Sequence, residues 1–85
     1  MRLVIDGQTH MVHAIERTSP SQFIAHTQPG PAVGNMVTVG AETLGDALRA
    51  RFDFLEQRVE GGDLEYLAVR EEMEQISDLI FQLKV

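Results

Sequence analysis

The chain contains no cysteine, so it has no disulfide framework, no thiolate zinc site and no cysteine nucleophile. Lysine occurs once, at Lys84, and seven basic residues face thirteen acidic ones for a formal charge of −6. Nucleic-acid affinity comes mainly from neutralising phosphates with Lys and Arg, so this balance disfavours DNA and RNA as partners. The basic amphipathic stretch of a membrane-surface helix is missing too. Long apolar runs are equally scarce. The opening MRLVIDG meets Asp6 after five residues, short of a signal-peptide apolar region and of the roughly 20 residues a membrane span needs. A soluble, cytoplasmic protein with no membrane partner is expected.

What is present fits one domain of 85 residues. A chain of this size buries only roughly 60 to 65% of the surface its unfolded form exposes, so completion by association is expected. The charge is unevenly placed. Residues 1–40 carry Arg2 and Arg17 against Asp6 and Glu16, whereas residues 41–85 carry five basic and eleven acidic side chains.

The front part, 1–40, reads as strands and turns. Asp6-Gly7 separates the apolar run Arg2 to Asp6 from one over Thr9 to Ile15, and Asp-Gly tolerates the positive φ that a two-residue hairpin turn needs. A β-hairpin follows. Ser19 as N-cap, Pro20 at the first helical position and Gln22 three residues after the cap then favour a short helix bearing Phe23 and Ile24. The alternation Phe23, Ala25, Thr27 would equally suit a strand over Gln22 to Gln28. Gln28 to Asn35, with Pro29, Pro31, Gly30 and Gly34, reads as a loop, and no Walker or dinucleotide spacing makes it a phosphate cradle. Met36 to Val39 is expected as a third strand, pairing with the hairpin, because two strands alone are marginal in water.

The back part, 41–85, reads as a helical hairpin. Thr43 and Asp46 have the form of a capping box, and Leu44, Leu48, Phe52, Leu55 and Val59 make one stripe that ends at Gly61-Gly62. Asp63 is then placed to cap a second helix reaching about Lys84, with Tyr66, Val69, Met73, Ile76, Ile80 and Leu83 as its stripe. The spacing predicts antiparallel neighbours. Arg51 and Arg58 border the first stripe and Glu65 and Glu72 the second, which suggests pairs across the hairpin. The fold class is therefore α+β: an N-terminal β-hairpin or three-stranded sheet with a C-terminal antiparallel helical hairpin.

Phe54, Leu67, Leu79, Phe81 and Val85 fall off the two stripes. Leaving so many large apolar side chains exposed would be unusual for a soluble monomer, so either the small sheet or a second protein covers them. With Ile80 they are the candidate interaction residues.

Chemistry finds little support. His10 and His13 are three apart, which on a regular strand sends them to opposite faces, and His26 is only a third candidate, so surface histidines are expected rather than a metal site. Glu71, Glu72 and Glu74 sit on a polar helix face without the partly dry pocket that acid/base catalysis requires. Ser19, Ser21 and Ser77 lack a GxSxG or SxxK setting. The expectation is a protein that is not an enzyme and holds no cofactor and no metal.

Val4-Ile5-Asp6-Gly7-Gln8-Thr9-His10, followed by Ala14-Ile15-Glu16-Arg17 and the capped Phe23-Ile24 segment, resembles the opening of small tail-assembly proteins of double-stranded DNA bacteriophages. The resemblance covers about the first thirty residues. It implies a hairpin leading into helices and an accessory role in assembly, in the host cytoplasm, and it carries no catalytic residue. Two roles are expected. The first is a non-enzymatic phage or prophage module that makes protein contacts as a homo-oligomer, a dimer or higher, through its helical hairpin. The alternative is an acidic regulatory protein that binds a basic host protein or mimics DNA through Glu65, Glu71, Glu72, Glu74 and Asp78.

Overall fold

Two boundaries, at Asp6-Gly7 and at Gly61-Gly62, follow the turn chemistry of the sequence. A computed structural model describes residues 1–27 and 36–83. It has strands β1 (Arg2–Ile5), β2 (Gln8–Ser19), β3 (Gln22–Thr27) and β4 (Met36–Gly40), then helices α1 (Ala41–Glu60) and α2 (Tyr66–Leu83). The fold is α+β, with four antiparallel strands in the order β1-β2-β3-β4 rather than three. The chain divides into two compact units, Met1–Ala47 and Leu48–Val85, with the boundary inside α1. The expected loop over Gln28 to Asn35 lies outside the described residues.

In the first unit the Asp6-Gly7 hairpin forms, with φ of 52° at Asp6 and 81° at Gly7, the positive pair that a type I′ turn requires. β1 pairs with the start of β2, Leu3 opposite His10 and Ile5 opposite Gln8. The rest of β2 pairs with β3, and the register shifts by one residue between Val12 and Ala14. That shift is a β-bulge at His13. It moves the covered positions of β2 from the even-numbered His10 and Val12 to the odd-numbered Ile15, so the strand keeps the same side covered past the bulge, while Arg17 is exposed. Leu3, Ile5, Val12, Phe23, Ala25 and Val39 are buried on this face.

The short helix expected from Ser19 onward does not form; β3 is the strand that the alternation of Phe23 and Ala25 allowed. Pro20 and Ser21 instead make a second turn, in which Ser19 Oγ accepts from the Ser21 amide at 3.4 Å and the Thr18 hydroxyl donates to the Gln22 carbonyl at 3.2 Å. The cap signals are real local bonds, but they close a turn because Phe23 and Ala25 bury on a sheet face. β4 forms as expected but pairs with β3, Val39 opposite Phe23, and not with the first hairpin.

α1 follows β4 without a linker, and the Ala41 amide donates to the Ser21 carbonyl at 3.0 Å. The helix thus starts two residues before Thr43, which lies in its first turn and is not its cap. Leu44 and Ala47 are buried in the first unit, Leu48 and Leu55 in the second, while Phe52 and Val59 are half-buried.

α1 ends at the glycine pair, as its spacing predicts. Gly62 takes φ 82°, its amide donates to Val59 and the Asp63 amide to Arg58 at 2.9 Å, the paired bonds of a Schellman cap. Asp63 does not cap α2, which begins three residues later; its carboxylate accepts from Arg58 Nη1 at 3.2 Å. In α2, Met73 and Ile76 are buried and Val69, Ile80 and Leu83 half-buried, but Tyr66 at the exposed first turn leaves the stripe.

Candidate interaction surface

The second unit holds its two helices with charge as well as apolar burial. Arg51 Nε donates to Glu72 Oε2 at 2.7 Å, and both side chains are largely covered. Residue 51 meets 72 and residue 58 meets 63, so positions nest about Gly61-Gly62 as antiparallel helices require. The expected Arg51–Glu72 pair is present, whereas Arg58 takes Asp63 in place of Glu65.

Of the six candidate interaction residues, Phe54 is 45% exposed on α1, between two cations. The Arg58 guanidinium lies 5.0 Å and that of Arg51 5.4 Å from its ring centroid. Glu72, Arg51, Phe54, Arg58 and Asp63 therefore form one continuous row, in which the ring supports the two arginines that reach across to the acids. Phe54 has a role inside the chain. Leu79 and Ile80 are half-buried. Val85 lies outside the described residues.

Leu67 and Phe81 differ from the rest, 78% and 72% exposed on α2. They are fourteen residues apart, which at 3.6 residues per turn places them within about 40° of one another around the helix and roughly 21 Å apart along it. Between them on the same outward face lie Arg70, Glu71, Glu74 and Asp78, all exposed, while Met73 and Ile76 face the other way. Arg70 Nε donates to Glu74 Oε1 at 3.1 Å along this face, and that hydrogen bond, with the carboxylate charge, raises the Arg70 pKa further above its ordinary value. Of the off-stripe set, Phe54, Leu67 and Phe81 are exposed.

Two acidic side chains of α2 have basic partners. Arg51 holds Glu72 and Arg70 holds Glu74. On the sheet, Val4, Met11 and Met36 are exposed apolar side chains that were not singled out; the strict alternation of β1, Val4 out against Leu3 and Ile5 in, was the available signal. His26 Nε2 lies 3.1 Å from Glu16 Oε2 across β2 and β3. Because His13 is the bulged residue, strict alternation does not govern its relation to His10. Among the described residues no group of three or more His, Asp or Glu is placed to hold a metal ion. Among the same residues no helix is long and apolar enough to cross a membrane. No family model, curated protein or solved structure matches the chain.

Proposed function

We propose that this chain is a non-enzymatic interaction module that works by protein contact, with the outward face of α2 as its contact surface and a homo-oligomer as its working form. The single observation that carries this reading is the exposure of Leu67 and Phe81, 78% and 72%, on one stripe of a helix whose opposite side is buried. Large apolar side chains placed so cost solubility in isolation and gain about 1.5 to 3 kcal/mol each when covered. Four of them in a dimer amount to about 6 to 12 kcal/mol before an association cost of about 4 to 15 kcal/mol, so these side chains supply a contact that is micromolar at its tightest. The setting of a phage assembly accessory protein is supported by the resemblance of the opening hairpin alone, since the Phe23-Ile24 segment is a strand.

Static light scattering at rising concentration tests this reading. A mass that climbs above the 9.5 kDa of one chain supports it, and a strict monomer at high micromolar concentration contradicts it. The acidic regulatory role has less support, because Glu72 and Glu74, two of its five carboxylates, are already engaged by Arg51 and Arg70.

A further inference from the structure

We infer that a second copy of this chain lies antiparallel on the outward face of α2, with Leu67 against the partner's Phe81 and Arg70 against the partner's Asp78. The inference rests on the contact reading above and adds its occupant and its register. In a two-fold contact the same patch meets itself, so the residues of an antiparallel helix pair match when they stand at equal distances from the axis. Leu67 and Phe81 stand seven residues to either side of Glu74, and Arg70 and Asp78 stand four to either side of it. One axis through Glu74 therefore serves both pairings at once. It closes two apolar contacts at the ends and two opposite-charge contacts between them. A parallel arrangement in register would instead set Asp78 on the partner's Asp78 and leave Arg70 facing its own kind.

Every residue this pairing uses is exposed: Leu67, Arg70, Glu74, Asp78 and Phe81. Arg70 is held along the face by Glu74, with both side chains more than half exposed, so its charge is already aligned with the helix before a partner arrives. The axis carries one unfavourable element, Glu74 beside the partner's Glu74, and Arg70 offsets it in each chain. That element gives the proposal a signature that a basic foreign partner would not share. Removing the Glu74 charge tightens a self-contact of this register and weakens binding to a basic surface.

Because the chain has no cysteine, single engineered cysteines report without background. Chains carrying Leu67→Cys are mixed with chains carrying Phe81→Cys and treated with a short bis-maleimide. The mixed pair keeps one Leu67–Phe81 contact intact. A cross-linked dimer is expected in the mixture and not in either variant alone, where the two thiols stand roughly 21 Å apart. In parallel, Glu74→Gln without cysteine is expected to dimerise several-fold more tightly in sedimentation equilibrium. Cross-linking of Leu67→Cys to itself overturns the register while leaving the contact surface in place. A dimeric wild type with no cross-link in the mixture overturns the inference, and a monomeric wild type removes the contact reading with it. Weaker dimerisation of Glu74→Gln also overturns it.

Discussion

The two units divide their apolar residues differently. In residues 1–47 Leu3, Ile5, Val12, Phe23, Ala25, Val39, Leu44 and Ala47 are buried, while Val4, Met11 and Met36 are exposed. In residues 48–83 only Leu48, Leu55, Met73 and Ile76 are buried, while Phe54, Tyr66, Leu67 and Phe81 are exposed. Charge follows the same division, with two basic against four acidic residues over 1–47 and five against nine over 48–85. A sheet buries one face by alternation and leaves the other in water, as with Val4; a two-helix unit has a narrow buried stripe, and what lies off it stays in water unless a cation or a partner covers it. Phe54 has the cations. Leu67 and Phe81 are exposed, the pair that the proposed contact would cover.

The largest effect that would break this comparison concerns burial. Ile76→Ala is expected to cost about 2 to 5 kcal/mol of stability in urea unfolding, whereas Phe81→Ala leaves the monomer nearly unchanged. Comparable losses from both would mean that Phe81 is part of a core. Next in size is Gly62→Ala, which forces a Cβ onto a residue with φ 82° and is expected to lower stability by about 1 to 2 kcal/mol. A double-mutant cycle on Arg51→Ala and Glu72→Ala should give a coupling of about 1 kcal/mol, larger than an exposed pair such as Arg70 with Glu74, because both partners are largely covered. The smallest effect is Thr43→Ala. Since the helix begins at Ala41, thermal unfolding should shift by less than about 0.5 kcal/mol in stability, while a cap residue would lose about 1.

Signals that act over two or three residues were legible. Asp6-Gly7 fixed a hairpin and Gly61-Gly62 a helix end because positive φ narrows the residue choice at both places. Leu44, Leu48 and Leu55 were readable from period alone. What misled was competition between equal local signals. Ser19, Pro20 and Gln22 suit a helix start and a hairpin turn alike, and only the burial of Phe23 and Ala25 on a sheet decides for the turn. Thr43 has the form of a cap, yet the Ala41 amide finds the Ser21 carbonyl, twenty residues away, and the helix starts early. The bulge at His13 leaves little trace in the sequence beyond Val12 and Ile15 sitting three apart. For the contact surface, composition could show that Phe54, Leu67 and Phe81 were surplus to the stripes. It could not separate Phe54 from the others, since that depends on where Arg51 and Arg58 direct their guanidiniums.

The central claim is that the outward face of α2 exists for contact and not for the stability of the chain. Sedimentation equilibrium of the wild type and of Leu67→Asp with Phe81→Asp, paired with circular dichroism of both, tests it most directly. The claim predicts a wild-type mass rising toward twice 9.5 kDa at high micromolar concentration, and a variant that stays at 9.5 kDa with an unchanged spectrum and melting temperature. A variant that associates as the wild type does, or that loses its fold, would contradict it.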